Sequence, residues 1–373
     1  MKHLASLVLL FLSCSCTSTA QDRRDSVLCA TDTVPVQRLT LLFAGDLMQH
    51  QGQIDAARQT NGTYNYSDCF RLVKDEISRA DIAIGNLEVT LGGKPYAGYP
   101  AFSAPDEYLA AIKDAGFDVL LTANNHCLDR RRKGLERTLL MLDSLHIPHT
   151  GTYINKEERD HHSPLLLEQN GFRIALLNYT YGTNGIPVAV PNVVNYIDTL
   201  VIAQDIKAAQ ALHPDALIAC LHWGAEYQSL PNKAQTSLTD WLIEQGVTHV
   251  IGSHPHVVQP LELRTDSLTG QQHAVVYSLG NFISNMSARK TDGGLLFKLE
   301  LTKDSITRVS KCEYSLVWTA RPVLSRKKNH ILYPINTPTD SLPAEARNRL
   351  KIFVNDSRTL FKKHNKGVSE YTF

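Results

Sequence analysis

The sequence lacks three features that would place it quickly in a class of protein. It carries no excess charge of one sign, since 38 Lys and Arg residues balance 37 Asp and Glu residues and leave a formal net charge of +1. This balance gives no support to nucleic acid as a partner, because a polyanion is bound by clustered positive charge. Beyond the first twenty residues no apolar run is long enough to span a bilayer as a helix. There is also no CxxC spacing, which argues against a zinc ribbon.

Cysteine is scarce as well, with seven residues in 373. The wide spacings exclude a small disulfide-stabilised scaffold. The body of the chain contains Cys29, Cys69, Cys127, Cys220 and Cys312. One disulfide within this set is compatible with an exported protein, and the pattern leaves its pairing open.

The first twenty residues are typical of a secretory signal peptide. Lys2 precedes an apolar stretch at 4–12, and small residues follow it. Cys14 and Cys16 stand where bacterial lipoproteins carry their lipidated cysteine, so two outcomes stay open: a lipid anchor, or plain secretion with both cysteines removed. Either outcome predicts an exported protein of the cell envelope, in the periplasm or on the outer surface. A membrane contact is then expected only through an N-terminal lipid.

After a predicted linker at 21–37, short apolar runs alternate with helical patterns, as in an α/β protein. With 43% hydrophobic residues, the composition is that of an ordinary globular protein. We expect one large domain over 38–320. The remaining residues, 321–373, are expected to form a C-terminal extension, either a packed tail or a small helical cap.

The order of the elements changes along the chain. The first half reads as strand–helix–strand, with one predicted helix over 67–80. Asn170-Gly171 lies between two apolar runs and predicts a hairpin, because both residues accept the left-handed backbone of a tight turn. Two further strands, at 273–282 and 293–302, have no helical pattern between them. The sequence therefore predicts mixed sheets.

Polar side chains follow nearly every predicted strand. In α/β sheets the loops after the strands meet in a crevice, so we expect these side chains to converge. The residues concerned are Asp46, His50, Asn86, Glu88, Asn124, Asn125, His126, His222, Glu226, His254, His256 and Asn281.

Such a convergent set of carboxylate, amide and imidazole groups is costly to bury unless the groups are satisfied, and metal ions satisfy them. The set contains no thiolate, so its chemistry suits zinc, manganese or iron. One or two such ions would polarise a scissile bond and lower the pKa of a bound water. A histidine outside the ligand set would then protonate the leaving group.

Six segments, in order, resemble a known family: GDLM, GNLE, ANNH followed by D and G, HWGAEY, GSHPHVVQP and YSLGNF. They are similar to the bacterial capsule-synthesis family of CapA type, which is linked to poly-γ-glutamate production within the calcineurin-like metallophosphatase superfamily. The resemblance covers roughly 39–300. It implies a four-layer α/β/β/α sandwich with a metal site at one end of two facing sheets.

The resemblance also implies roles for individual residues. The metal ligands would be Asp46, Glu88, Asn125, His222, His254 and His256, with Glu88 as the bridging carboxylate. His126 would face the substrate oxygen and act as the catalytic acid. Supporting or substrate-binding positions would be Asn86, Asn124, His50, Glu226 and Asn281. Met48 stands where the superfamily usually has a histidine, which leaves open whether one or two metals bind.

Two functions follow. The first is a metal-dependent hydrolase of the envelope, acting on poly-γ-glutamate, a γ-glutamyl peptide or a phosphoester. The second is a non-catalytic envelope component that binds the nascent anionic polymer or a membrane-bound synthase. The convergent ligand set favours the first, because a scaffold has no need of it.

Overall fold

A computed structural model describes residues 36–373. The predicted signal peptide, the lipidation positions Cys14 and Cys16 and nearly all of the linker lie outside the described residues.

Seventeen strands and ten helices make up this part of the chain. The strands are β1 (Gln37–Leu47), β2 (Ile82–Leu87), β3 (Val119–Leu121), β4 (His149–Thr150), β5 (Thr152–Tyr153), β6 (Leu165–Gln169), β7 (Phe172–Thr180), β8 (Val193–Val194), β9 (Ala216–His222), β10 (His249–Ser253), β11 (Leu261–Thr265), β12 (Gln272–Val276), β13 (Asn281–Ile283), β14 (Gly293–Lys303), β15 (Thr307–Ala320), β16 (Ile331–Pro334) and β17 (Ser369–Glu370). The helices are α1 (Gln51–Ala57), α2 (Ser67–Phe70), α3 (Lys74–Arg79), α4 (Asp106–Asp114), α5 (Arg131–Ser144), α6 (Lys156–His162), α7 (Thr199–Ala211), α8 (Lys233–Glu244), α9 (Pro322–Ser325) and α10 (Ala344–His364).

Two large mixed sheets carry the fold. The first has the order β16-β15-β14-β1-β2-β3-β4, with β13 paired to β1 and β17 to β15. Strands β1 to β4 run parallel, whereas β14, β15 and β16 are antiparallel neighbours. The second sheet has the order β11-β12-β10-β9-β7-β6, parallel in its centre and antiparallel at both edges. The predicted change from parallel to antiparallel pairing is confirmed.

Side chains that alternate in direction along the strands build four layers. Leu41 and Phe43 of β1 pack in the same cluster as Ile218 of β9, which fills the space between the sheets. Leu42 of β1 instead packs in a cluster with residues of α2 to α5, and Leu217 of β9 in a cluster with residues of α7 and α8. Successive side chains of a strand point to opposite faces, so each sheet is covered on both sides. The predicted α/β/β/α sandwich is confirmed.

The hairpin is also confirmed, since β6 and β7 are antiparallel and joined by Asn170 and Gly171. Both residues have positive φ, 50° and 79°, which matches the twist of a two-residue hairpin turn. The single helix expected over 67–80 is wrong: the segment forms the short helices α2 and α3, separated by a turn.

The C-terminal segment is more ordered than its polar composition indicates. Helix α10 is 21 residues long and buries Leu350, Phe353 and Phe361 in the cluster between the sheets and around β15. After it, β17 pairs with β15.

The four cysteines of the described part, Cys69, Cys127, Cys220 and Cys312, are buried free thiols. No disulfide therefore joins any two of them, and Cys29 lies outside the described residues. Within 36–373, no helix combines the length and apolar character that crossing a bilayer requires.

Candidate metal centre

The strand ends that the sequence singles out lie at one edge of the two sheets. Asp46 in β1 pairs in register with Asn86 of β2 and with Asn281 of β13. In the second sheet, His222 at the end of β9 pairs with Ser253 at the end of β10. Parallel pairing aligns the carboxyl ends of neighbouring strands, so the loops after them converge.

A glycine permits the close approach of β1 and β13. A Cβ atom at Gly45 would lie 2.0 Å from the carbonyl oxygen of Gly280. Without it, the Asp46 N–H donates to that same carbonyl oxygen at 3.1 Å. The glycine before Asp46 therefore fixes the carboxylate beside Asn281.

Two groups of three buried potential ligands form at this edge, and both contain Glu88. One is Glu88, His222 and His254; the other is Asp46, Glu88 and His256. Within each group the three ligand atoms lie within 4.8 Å of one another, and all five side chains are buried. Asn125 joins the first group, because its Oδ1 lies 2.9 Å from Nε2 of His222. The structure thus brings together all six residues expected to hold metal; their role as ligands stays a prediction.

The unmet hydrogen bonds of these residues test whether a cation fits. Both carboxylate oxygens of Glu88 are buried without a hydrogen-bond partner, and so is Nδ1 of His254. Oε1 of Glu88 lies 3.6 Å from Nε2 of His222 and 3.9 Å from Nε2 of His256. Ligand atoms about 2.0–2.3 Å from one ion lie roughly 3–3.5 Å apart, so modest contraction around an ion suffices. The residues present fit a divalent cation.

Amide and carboxylate groups orient the imidazoles. Nδ1 of His256 lies 3.1 Å from Oδ2 of Asp46 and 3.0 Å from Oδ1 of Asn281. Asn281 is itself fixed, since its Nδ2 donates to the carbonyl oxygen of Thr291 at 2.8 Å. The Nε2 atom of His256 is left for the centre, which is the usual arrangement of a histidine ligand.

Asn86 connects the two groups. Its Nδ2 donates to Oδ1 of Asp46 at 2.8 Å and lies 3.3 Å from Nδ1 of His222. These contacts place Asn86 beside both groups, and its supporting role stays a prediction. Asn124 has a similar place one loop away: its Nδ2 donates to the carbonyl oxygen of Leu87 at 2.8 Å, and its Oδ1 accepts from the His126 N–H.

Burial sets the protonation of the centre. It raises the pKa of Glu88 well above its usual value, with the Asp46 charge adding to the effect. Burial also lowers the pKa of His222 well below the usual value, and that of His254 to about 4. For His256 burial opposes protonation, but the hydrogen bond and charge of Asp46 outweigh it and raise the pKa. At neutral pH, two imidazoles therefore keep a lone pair free for a cation.

His126 stands apart from both groups. Its Nδ1 lies 2.8 Å from Oδ2 of Asp129, and the Phe102 ring packs against the imidazole with centroids 4.6 Å apart. His126 and Asp129 are buried, yet both line a pocket of about 400 Å³ that Asn125 and Glu226 also line. His126 is thus placed to act on a molecule in this pocket while remaining outside the groups that could hold the cation.

His50 and Met48, the two residues near Asp46 that the sequence singles out, lie outside these groups. His50 faces Gln53 and packs on the edge of Phe102, with ring centroids 5.3 Å apart. Met48 is buried in the apolar cluster under the helices of the first sheet, and its carbonyl oxygen accepts from Tyr108 Oη at 2.9 Å. Among residues 36–373, the His50 side chain belongs to no group of potential histidine, cysteine or carboxylate ligands.

Sequence reasoning gave Asp129, Tyr99, Tyr181 and Tyr227 no individual role. Asp129 is the D of the ANNH motif, and its spacing of three residues from His126 was the available signal. The three tyrosines are exposed and surround the centre. Tyr99 packs near His126, Tyr181 lies 4.5 Å from His254 and Tyr227 lies 6.2 Å from His256, measured between ring centroids. They come from three different loops, so nothing local in the sequence joins them.

Comparison with known proteins yields both sequence relatives and structural likenesses. The capsule biosynthesis protein CapA of Bacillus anthracis is 26% identical over 276 residues, which are 71% of this chain and 64% of that protein, a little under two thirds of its length. The PGA biosynthesis protein CapA of Bacillus subtilis is 25% identical over 283 residues, covering 72% of this chain and 70% of that protein.

Among solved structures, the calcineurin-like phosphoesterase YfkN of Bacillus subtilis is similar with a TM-score of 0.44 and 13% identity, over 86% of this chain and all of that one. The model of the family described as bacterial capsule synthesis protein PGA_cap matches residues 40–286. Since this match covers well over half of the chain, the protein belongs to the PGA_cap family of bacterial capsule synthesis proteins.

Proposed function

We propose that this protein is an exported, envelope-associated hydrolase that cleaves γ-glutamyl amide bonds of a capsule polymer with the aid of one or two divalent transition metal ions. Manganese, zinc and iron suit its ligands, which combine imidazole, carboxylate and amide donors. The proposed ligands are Asp46, Glu88, Asn125, His222, His254 and His256.

One observation carries this proposal: the buried carboxylate of Glu88 belongs to two ligand groups and has no hydrogen-bond partner. An unpaired carboxylate in the interior costs stability unless a cation or a proton neutralises it. A protein that only binds a polymer would gain nothing from this cost.

A divalent cation bound at Glu88 would supply Lewis-acid polarisation and lower the pKa of a bound water. The protein groups perform the remaining steps. Asn281 and Asp46 orient His256, and Asn86 orients Asp46 and His222. Asn125 lines the pocket beside His222. In this proposal the bond to be cleaved lies between the centre and His126.

His126 acts on the leaving group. Its Nδ1 is paired with Asp129, so Nε2 is the nitrogen that remains for the pocket. Hydrolysis of a γ-glutamyl amide breaks the C–N bond, adds water as hydroxide to the carbonyl carbon and gives a proton to the departing nitrogen. His126 supplies that proton, and the paired carboxylate of Asp129 holds the imidazole in place.

The choice of substrate is supported by the relatives. Their names connect them with capsule and PGA biosynthesis, and poly-γ-glutamate is a chain of γ-glutamyl amides. Export is supported by the signal-like residues 1–20. Anchoring through Cys14 or Cys16 would keep the enzyme beside the polymer as it leaves a membrane-bound synthase.

A hydrolysis assay tests the proposal. The protein, loaded with manganese, zinc or ferrous iron, is incubated with poly-γ-glutamate, γ-glutamyl dipeptides and bis-p-nitrophenyl phosphate. We expect release of new amino groups from the γ-glutamyl substrates, and loss of this activity after chelation. His161→Ala, which changes an exposed histidine of α6, serves as the control for mutations in the centre.

Three results would contradict the proposal. Cleavage of the phosphodiester alone would show that the substrates are phosphoesters and not γ-glutamyl amides. Tight binding of poly-γ-glutamate without cleavage under any metal would favour the non-catalytic polymer-binding function. Absence of bound metal after loading would remove the centre itself.

A further inference from the structure

Glu226 is an exposed carboxylate that follows β9, four residues after His222. It forms a third group of potential ligands with His254 and His256, again with ligand atoms within 4.8 Å of one another. The other two groups consist of buried residues only, so Glu226 is the single solvent-exposed member of the three groups found within 36–373.

Each imidazole of the His-Pro-His turn thus lies near a buried and an exposed carboxylate. His254 and His256 each belong to one group with Glu88 and to another with Glu226. Asp46 and Asn281 occupy Nδ1 of His256. Nδ1 of His254 is buried without a hydrogen-bond partner, and this side chain is only 2% exposed. Glu226 therefore lies beside an imidazole whose capacity for bonding is unfilled.

The backbone holds Glu226 at this place. The Trp223 N–H donates to the carbonyl oxygen of Ser253 at 3.1 Å, and the Tyr227 N–H donates to that of Pro255 at 2.8 Å. These bonds flank Glu226 in sequence and attach its loop to the turn that carries both histidines. His254 and His256 in turn have positive φ, 100° and 58°, a backbone that non-glycine residues adopt only when the surroundings impose it.

We propose that Glu226 is an exchangeable cation ligand on the solvent side of the centre. It closes the open face of the centre when no substrate is bound, and an incoming oxyanion displaces it. The inference rests on the proposed function, because it requires that the centre hold a cation.

Two effects of opposite sign follow. A direct carboxylate ligand strengthens cation binding, because it adds a bond and a negative charge. The same carboxylate competes with any anion that must reach the open face, so its removal should strengthen the binding of an oxyanion. A residue with a merely structural role would weaken both when it is replaced.

Titration calorimetry with manganese, and the visible absorption of cobalt(II) in the same site, test this inference. We expect Glu226→Gln to raise the Kd for manganese by about 10- to 100-fold. The cobalt(II) spectrum should change in intensity as a ligand is lost. Inorganic phosphate, added to the cobalt-loaded protein, should bind several-fold more tightly to this variant than to the wild type.

Two further variants distinguish a direct bond between Glu226 and the cation from a long-range effect of the Glu226 charge. Glu226→Asp keeps the charge but shortens the side chain by one methylene, so a direct ligand is lost and the variant should resemble Glu226→Gln in its manganese Kd. Glu157→Gln removes an equal charge from the exposed face of α6 and should match the wild type.

The outcomes separate this inference from the proposed function. If the wild type binds manganese and both Glu226 variants bind it with unchanged Kd, the inference is wrong while the metal centre stands. If Glu226→Asp matches the wild type and Glu226→Gln does not, Glu226 acts through its field and is no ligand. If the wild type binds none of the three metals or cobalt, the centre and the inference are overturned together.

Discussion

The Nδ1 atom of His126 lies 2.8 Å from Oδ2 of Asp129, and the same oxygen accepts the Phe102 N–H at 2.8 Å. Asp129 is thus held by the backbone on one side and holds the imidazole on the other. Because the carboxylate fixes the tautomer and the orientation of the ring, we infer that Asp129 is a positioning residue for His126.

Asp129→Asn keeps an acceptor for Phe102 but removes the charge. We expect turnover of the γ-glutamyl substrate to fall by about 10- to 100-fold, with KM and metal content unchanged. His126→Ala should cost roughly two to four orders of magnitude, also with full metal content. Unchanged turnover in Asp129→Asn would show that the pair is only structural.

Much of the arrangement of the metal centre could be predicted from the sequence, because the candidate residues stand directly after recognisable strands. Asp46, Asn125, His222 and His254 each follow a short apolar run, and strand pairing in register brings such positions together. The hairpin at Asn170-Gly171 was predictable for the same reason, since its backbone geometry depends on those two residues.

Other features depend on contacts between distant segments. Glu226 was expected near the histidines because it follows a strand, but the hydrogen bonds that attach its loop to Ser253 and Pro255 have no signal in the sequence. Helix α10 has a polar composition, and only its packing on β15 shows which of its residues are core. The helix expected over 67–80 breaks between Phe70 and Lys74 although its apolar spacing continues, because tertiary packing overrides local propensity.

Glu88→Gln should separate the stability of the protein from its binding of metal. Burial and the charge of Asp46 oppose the ionised form of Glu88 and raise its pKa, whereas the amide carries no charge, so the metal-free protein should gain about 1–3 kcal/mol at a pH where Glu88 is ionised. The same change should abolish most of the rise in Tm that manganese causes in the wild type, since a ligand shared by both groups is lost. Thermal scans with chelator and with manganese measure both effects.

A lower Tm of the metal-free Glu88→Gln protein would contradict this account of the unpaired carboxylate. A metal-induced rise equal to that of the wild type would show that Glu88 is not a ligand. His254→Ala supplies the comparison, because it should lose metal and activity together.

Asn281→Ala should weaken cation binding, although Asn281 is not itself a proposed ligand. Asn281 accepts from Nδ1 of His256 at 3.0 Å, and its loss frees the imidazole to turn. We expect the manganese Kd to rise about 10- to 100-fold, measured by calorimetry, with the far-UV circular dichroism unchanged. Asn61→Ala, in an exposed turn, should leave the Kd at the wild-type value. Equal manganese affinities in the two variants would show that Asn281 does not support His256.

Two histidines away from the ligand groups should govern stability in mild acid. Burial lowers the pKa of His249 to about 3, with His273 nearby adding to the effect, and burial likewise lowers that of His330 to about 3. His249 Nδ1 accepts the Ala274 N–H at 3.0 Å, a bond that protonation would break. The folded state therefore binds fewer protons than the unfolded state, in which a histidine titrates near 6.5.

Because the unfolded state binds more protons, the free energy of unfolding should decrease as the pH falls. The stabilising contribution of each neutral histidine is complete above pH 6.5 and is lost as the pH falls from 6.5 toward 3, by about 1.4 kcal/mol per pH unit. His249→Asn keeps an acceptor for Ala274 but cannot titrate. Urea unfolding in the presence of chelator should therefore show a smaller loss of stability in this variant between pH 6.5 and 5, where most carboxylates are still ionised. The difference in slope should be about 1.4 kcal/mol per pH unit, and parallel pH dependences of the two proteins would refute the assignment to His249.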